Sequence, residues 1–170
     1  MHVRTLQPQD APEYQALRLR GLAEAPTAFA SSYEEEVGTP LAEIARRLQP
    51  KASGAIFGAF AEDKLAGLAG LERESMTKLL HKAYLWGMYV SPEHRRSRLG
   101  TLLLEQVLPY AWHSLGVAQV NLGVQAENAS AIALYRRFGF VVWGTETGAL
   151  VVAGKAQDEH HMVCRAPSAA

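Results

Sequence analysis

The chain has 170 residues, 48% of them hydrophobic and 20% charged, with 17 basic and 17 acidic side chains and a formal net charge of zero. That length suits a single domain whose core needs no disulfide or metal, and the even charge argues against a nucleic-acid binder, which carries a basic excess. Cys164 stands alone, so no internal disulfide forms. No run of about 18 apolar residues predicts a membrane span. Residues 1–10 lack the apolar stretch of a signal peptide, and a cytoplasmic location is expected.

Residues 3–6 read as a first strand, followed by a turn at Pro8 and by Asp10 as the N-cap of a helix reaching about Ala23. Residues 25–32 read as a loop. The acidic run Glu34, Glu35 and Glu36 reads either as a solvated surface or as the border of a site for a cationic amine. Thr39 as N-cap and Pro40 as the first helical residue predict a helix start, Leu41, Ile44, Ala45 and Leu48 continue at helical spacing, and Pro50 ends it. Two apolar runs, 55–61 and 65–72, predict an antiparallel hairpin. Residues 83–90 predict a strand and 91–98 a polar loop. Leu99, Leu102, Leu103, Val107, Tyr110 and Ala111 trace a long amphipathic helix that stops near Gly116. A strand at 117–124, a helix at 128–138 and a strand at 140–143 follow. Residues 145–157 read as a loop, 160–164 as a last strand and 166–170 as a frayed tail. The order predicts one mixed α/β sheet covered by helices.

The most informative segment runs from Tyr89-Val90-Ser91-Pro92 through Arg95-Arg96-Ser97-Arg98 to Leu99-Gly100-Thr101. It leads from a strand end, through a basic loop, into a helix. The first turn of a helix offers unpaired N–H groups and a positive dipole end, which together bind phosphate oxygens. Gly100 allows a ligand close to that turn, and Arg95, Arg96 and Arg98 can each pair with phosphate. The segment also reads as an ordinary basic turn before a helix. A second stretch reads Asn128-Ala129-Ser130-Ala131-Ile132-Ala133-Leu134-Tyr135-Arg136-Arg137-Phe138-Gly139-Phe140. Helical spacing puts Asn128, Ala131 and Tyr135 on one face.

These two stretches resemble the GNAT superfamily of acyl-CoA-dependent N-acetyltransferases. Val90-Ser91-Pro92, Arg95 and Gly100 match the family's pattern after its fourth strand, and Arg98 stands where the family usually has glycine. Asn128, Ala131, Leu134, Tyr135, Gly139 and Phe140 match the family's Asn-x-x-Ala-x-x-Leu-Tyr-x-x-x-Gly-Phe pattern. The resemblance implies a mixed, mostly antiparallel sheet of six to seven strands flanked by about four helices, with strands four and five splayed. It implies one such domain over 1–166 and a tail at 167–170. It implies that acetyl-CoA is the cosubstrate, with no metal, and that the amides from about Arg95 to Thr101 hold its diphosphate. The strand edge Met88-Tyr89-Val90 would offer backbone groups to the pantetheine arm and polarise the acetyl carbonyl. Asn128 would cap its helix or contact the cofactor.

Amine attack on a thioester gives an oxyanion and then a thiolate, so a phenol near the sulfur can serve as general acid. The resemblance gives that role to Tyr135; the other reading of Tyr135 is a packed aromatic. An alkylamine with a pKa of about 10.4 is mostly protonated at neutral pH and must lose a proton first. Gly123 stands where the ribosomal-protein type of peptide N-terminus acetyltransferase tends to have glutamate, and the strand at 83–90 carries no acid. Glu127, Glu72, the run Glu34 to Glu36, or a water chain remain as bases. His160 and His161 face opposite ways in a strand and do not share a metal. Cys164 reads as a packed thiol.

The expected function is transfer of an acetyl group from acetyl-CoA to a primary amine, either a small amine, an amino acid or a protein amine. A catalytically silent CoA-binding sensor or partner-binding module is the alternative. The family often forms homodimers. No Gly-x-x-x-x-Gly-Lys-Ser/Thr or Gly-x-Gly-x-x-Gly motif supports a nucleotide-binding protein.

Overall fold

The computed structural model describes residues 1–167. Its strands are β1 (His2–Thr5), β2 (Gly54–Ala61), β3 (Lys64–Arg73), β4 (Lys82–Val90), β5 (Gln119–Gln125), β6 (Val141–Val152) and β7 (Lys155–Arg165). Its helices are α1 (Ala11–Glu24), the single turn α2 (Tyr33–Glu36), α3 (Leu41–Arg47), α4 (Leu99–Pro109) and α5 (Ala129–Arg137). The strands form one seven-stranded sheet in the order β1-β2-β3-β4-β5-β7-β6. Among the described residues, β4 and β5 are the parallel pair and every other pairing is antiparallel.

Strand alternation sorts the side chains into two cores, one on each face. Ile56, Phe60, Leu68 and Tyr89 pack against Tyr14, Leu17 and Leu22 of α1 and Ile44 of α3. On the other face Phe57, Leu71, Leu85, Val120 and Leu122 meet Leu99, Leu103, Leu104 and Val107 of α4, and Ile132 and Tyr135 of α5. Leu103, Leu104 and Val107 have no exposed surface. Burying each such side chain is worth about 1.5–3 kcal/mol, so the spacing of 99, 103 and 107 seats α4 firmly on the sheet. The β2–β3 hairpin turns at Glu62 and Asp63, whose φ values of +50° and +61° match the twist of the strands.

Three local expectations change. Residues 145–157 are not a loop. They form most of the β6–β7 hairpin, which pairs from Val141↔Val163 to Val152↔Lys155 and turns at Ala153 and Gly154. Asp10 occupies the N-cap position of α1 without capping it. Its carboxylate accepts from Arg4 at 2.7 and 2.8 Å and from the Gln7 N–H at 2.7 Å. Pro40, not Thr39, stands at the N-cap of α3. The acidic run Glu34, Glu35 and Glu36, for which no element was expected, folds into α2, where Ser32 and Glu35 form a reciprocal cap. Of the expected tail at 167–170, residues 168–170 lie outside the described residues.

The feature that matters for function is a divergence at the centre of the sheet. β4 and β5 pair only from Lys82↔Gln119 to Tyr84↔Asn121. Beyond that point β4 continues to Val90 and β5 to Gln125 without pairing to each other. This is the splay that the resemblance implied.

Candidate functional site

At one end of the splay lies the start of α4. The loop before it is pinned from within: Ser91 is buried with its hydroxyl 3.0 Å from His94 Nδ1, and the Ser97 hydroxyl donates to the His94 carbonyl. Arg96 and Arg98 both adopt left-handed backbone, with φ of +62° and +70°. No side chain caps α4, and the first helical bond runs from Leu102 N–H to the Arg98 carbonyl at 2.9 Å. Among the described residues the Leu99, Gly100 and Thr101 N–H groups therefore have no backbone acceptor. Left-handed residues leading into such a turn form a concave set of donors suited to an anion.

The three arginines of this loop differ in position. Arg95 is turned back, donating from Nε to the Val90 carbonyl at 3.2 Å, with Nη2 3.9 Å from Glu24. Glu93 is held by Arg20 at 2.6 and 2.8 Å, and that hydrogen bond pulls its carboxyl down to about 2. Among the described residues no carboxylate pairs with Arg96 or Arg98, both exposed. Leu99 is buried, and Gly100 faces Leu134 of α5.

Along the splay, β4 carries a bulge. Gly87 and Met88 stand opposite Ala69 without a ladder partner, and Gly87 has φ of +62°. Met88 and Val90 pack towards α4. Tyr89 points to the opposite face, where its hydroxyl donates to Glu24; burial, first, and that carboxylate raise its pKa to about 12. Of the expected cofactor residues, the Tyr89 side chain thus lies with α1 and Arg95 is tethered to the end of β4. Arg18 of α1 packs over the bulge, with Nη1 3.4 Å from where a β-carbon on Gly87 would stand. Its other nitrogens bond Glu36 and Ser31.

Tyr135 is buried on α5 against Phe140, ring centroids 5.6 Å apart. Burial pushes its phenol well above the usual tyrosine range, and the nearby Tyr84 phenol adds to the rise. Asn128 caps α5, its side-chain oxygen accepting from Ala131 N–H and the Ser130 hydroxyl, both at 3.1 Å.

Tyr84 lies on the sheet face away from α4 and α5, at the last paired rung before the splay. Burial raises its pKa first, then the Glu159 carboxylate; the Gly123 backbone works the other way. Glu159 was not among the acids singled out by sequence. A β-carbon placed on Gly123 would overlap its Oε1 and stand 3.0 Å from Oε2. The carboxylate therefore lies directly over the α-carbon of residue 123. His161 Nδ1 lies 3.9 Å from Oε1, and His161 Nε2 lies 3.0 Å from Glu146. Desolvation raises the Glu159 pKa, the His161 ring opposes that, and Glu146 adds to it.

The acids named from sequence are placed otherwise. Glu36 is bound by Arg18, Glu35 caps Ser32, Glu72 pairs with Lys51, and Glu127 is exposed. Glu34 lines a groove of about 640 Å³ between the α1–α2 segment and the β6–β7 tip, with Leu22, Phe29, Ser32, Leu150 and Val152. None of the groove's lining belongs to the α4 turn or the β4–β5 splay. Thr145 and His160 share a 2.8 Å hydrogen bond, whereas His161 faces Glu146 and Glu159. Cys164 is buried, its thiol donating to the Phe138 carbonyl at 3.3 Å, and burial raises its pKa. Among the described residues no three His, Cys, Asp or Glu side chains gather to hold a metal ion, and no helix is long and apolar enough to cross a membrane.

Comparison with known proteins agrees with this fold. The chain is 28% identical over 101 residues to a spermidine N(1)-acetyltransferase of Vibrio cholerae, covering 59% of this chain and 58% of that one. It is 42% identical over 62 residues to the ribosomal protein bS18-alanine N-acetyltransferase of Escherichia coli, covering 36% and 41%. The matches thus span about half the length of these curated relatives. A Salmonella typhimurium structure solved with its cofactor acetyl-CoA shares the fold, with a TM-score of 0.81 at 19% identity, covering 100% of this chain and 96% of that one. The model of the acetyltransferase (GNAT) family matches residues 20–140, which include α4, β5, α5 and the splay between β4 and β5, and the chain belongs to that family.

Proposed function

We propose that the protein transfers the acetyl group of acetyl-CoA to a primary amine. The observation that carries this reading is the set of unpartnered amides at Leu99, Gly100 and Thr101, which open α4 beyond the end of β4, where β4 and β5 no longer pair. Amides with no protein acceptor are suited to the diphosphate oxygens, and Arg96 and Arg98 add charge without a competing carboxylate. The unpaired edges of β4 and β5 suit the amides of a pantetheine arm, which places the thioester in the gap. Backbone N–H groups along that edge would stabilise the oxyanion.

Tyr135 serves as the general acid. Its phenol is protonated at neutral pH, as tyrosine ordinarily is, so it has a proton to give to the departing sulfur. Asn128 acts through the helix: by capping α5 it fixes the turn that carries Tyr135. The two relatives act on spermidine and on a ribosomal-protein alanine, so both acceptors are amines. The present chain is read as using an acceptor of that chemical class, bound on the sheet face away from α4 and α5.

Incubation with radiolabelled acetyl-CoA and a panel holding spermidine, amino acids and an alanyl peptide tests this. Amine-dependent release of CoA with labelled amide is expected. Tight CoA binding with no acetylated amine would overturn the reading in favour of a CoA-binding sensor.

A further inference from the structure

We infer that Glu159, reaching across from β7, takes the proton of the acceptor ammonium in the place that a side chain on β5 at position 123 would otherwise fill. The inference rests on the acetyltransferase reading above and adds the residue that reading lacks.

Three observations carry it. Gly123 lies two residues beyond the last β4–β5 rung, at the opening of the splay. Its neighbours Leu122 and Val124 belong to the α4–α5 core, so position 123 faces the other side of the sheet. The Glu159 carboxylate covers its α-carbon. The absence of a side chain at 123 is therefore what admits the carboxylate, since even a methyl group would displace it.

Tyr84 ties the carboxylate to the proposed acid. Its phenol lies by the Gly123 backbone and feels the Glu159 carboxylate, and it in turn adds to the raised pKa of Tyr135.

Glu159 is also uncommitted. The carboxylates of Asp10, Glu24, Glu36, Glu72 and Glu93 are each engaged by an arginine, lysine or tyrosine. Among the described residues none donates a hydrogen bond to the Glu159 carboxylate; the facing ionisable groups are His161 at 3.9 Å, Glu146 of β6 and Tyr84 of β4. On the same face β5 offers Asn121, Gly123 and Gln125, none of which titrates. The Glu159 side chain is 23% exposed, enough for a substrate to reach it. Its partial burial raises its basicity, as a proton acceptor requires.

The chemistry balances. One N–H bond of the ammonium breaks, its electron pair stays on nitrogen, and the proton goes to a Glu159 oxygen. That pair forms the C–N bond to the acetyl carbon. The C–S bond breaks, its pair leaves on sulfur, and sulfur takes the Tyr135 proton. The nitrogen's second proton returns to the Tyr135 oxygen. The products are amide, free thiol and one proton left on Glu159 for release to solvent.

The test compares two acceptors with acetyl-CoA: the best alkylamine of the panel, protonated at neutral pH, and hydroxylamine, already neutral there. Glu159→Gln should lose about 100- to 10,000-fold in kcat/KM with the alkylamine and only several-fold with hydroxylamine. Its alkylamine rate should recover as pH rises towards the amine pKa. The exchange variant Gly123→Glu/Glu159→Ala should regain part of the loss, because it returns a carboxylate to the same place. CoA affinity measured by calorimetry should stay at the wild-type value in Glu159→Gln. Equal losses with both acceptors, or wild-type activity in Glu159→Gln, would overturn the role of Glu159 while leaving the acetyltransferase reading in place. Wild-type protein that acetylates neither amine would overturn that reading, and this inference with it.

Discussion

The Leu134 side chain on α5 fills the space beside Gly100 on α4: its Cδ2 stands 3.0 Å from where a β-carbon on Gly100 would lie, with Met88 Cε at 3.6 Å. Gly100 therefore serves two ends, packing of α5 against α4 and a bare backbone at the proposed phosphate site. The two separate through two substitutions. Gly100→Ala gains about 1 kcal/mol of helix propensity and loses a similar amount, about 1 kcal/mol, to crowding against Leu134. Its melting temperature should stay within a few degrees of wild type. Gly100→Glu places a carboxylate at the same amides and should abolish CoA binding by calorimetry. A wild-type dissociation constant there would contradict the phosphate assignment.

Arg98 holds φ of +70° at the N-cap of α4, where the family usually has glycine. A side chain in that region costs about 1–2 kcal/mol, whereas glycine costs about 0.4–1 kcal/mol through the freedom of its unfolded chain. Arg98→Gly should thus raise stability by about 0.5–1 kcal/mol, or about 2–4 °C in melting temperature at the upper end. It should also weaken CoA binding several-fold at low salt, because an unpaired cation is lost. A variant that melts lower than wild type would show that the turn is not strained at Arg98.

Arg18 and Glu36 form a pair at 2.8 Å, with side chains only 9% and 18% exposed. Burial opposes ionisation of Glu36, but hydrogen bonds from Arg18 and its charge outweigh that, so the carboxyl lies below its usual range. The unfolded glutamate thus holds its proton to higher pH than the folded one. The pair's contribution is complete above the ordinary glutamate range and is lost as pH falls through the lowered value. Arg18→Met should cost about 3–5 kcal/mol in urea unfolding at neutral pH, because it leaves a buried carboxylate alone. The gap to wild type should shrink on acidification, and Arg18→Met/Glu36→Gln should recover part of it. A gap independent of pH would contradict the pairing.

Tyr135→Phe should lower turnover by about 100- to 10,000-fold with CoA affinity nearly unchanged. Since burial raises the phenol's pKa, the wild-type rate should not fall with rising pH through the ordinary tyrosine value of about 10 on account of this group. Steady-state kinetics across that range decide it. Unchanged turnover in the variant would refute the acid.

The order of elements was legible because it is carried by local patterns: the apolar spacing of 99, 103 and 107, the paired apolar runs 55–61 and 65–72, and Asn128 before α5. The splay was legible only through the resemblance, and the pairing that stops at Tyr84↔Asn121 now gives it physical form. The β6–β7 hairpin was missed because Gly144, Gly148 and Glu146 carry little strand propensity. Its ladder rests on partners from Lys155 to Val163, and its register shifts twice. Glu159 was missed for the same reason. It lies just beyond residues read as a loop, and only the antiparallel pairing of β5 with β7 brings it over Gly123. His161 shares its face by strand alternation. The tether of Arg95 to the Val90 carbonyl is a tertiary detail that a run of arginines does not encode.

Amide spectra of the ¹⁵N-labelled protein, titrated with CoA and separately with pantetheine, test the central claim most directly. The account predicts that CoA moves the Leu99, Gly100 and Thr101 resonances in step with saturation, while pantetheine, which lacks the diphosphate, leaves them in place. CoA binding that leaves these three amides unmoved would contradict it.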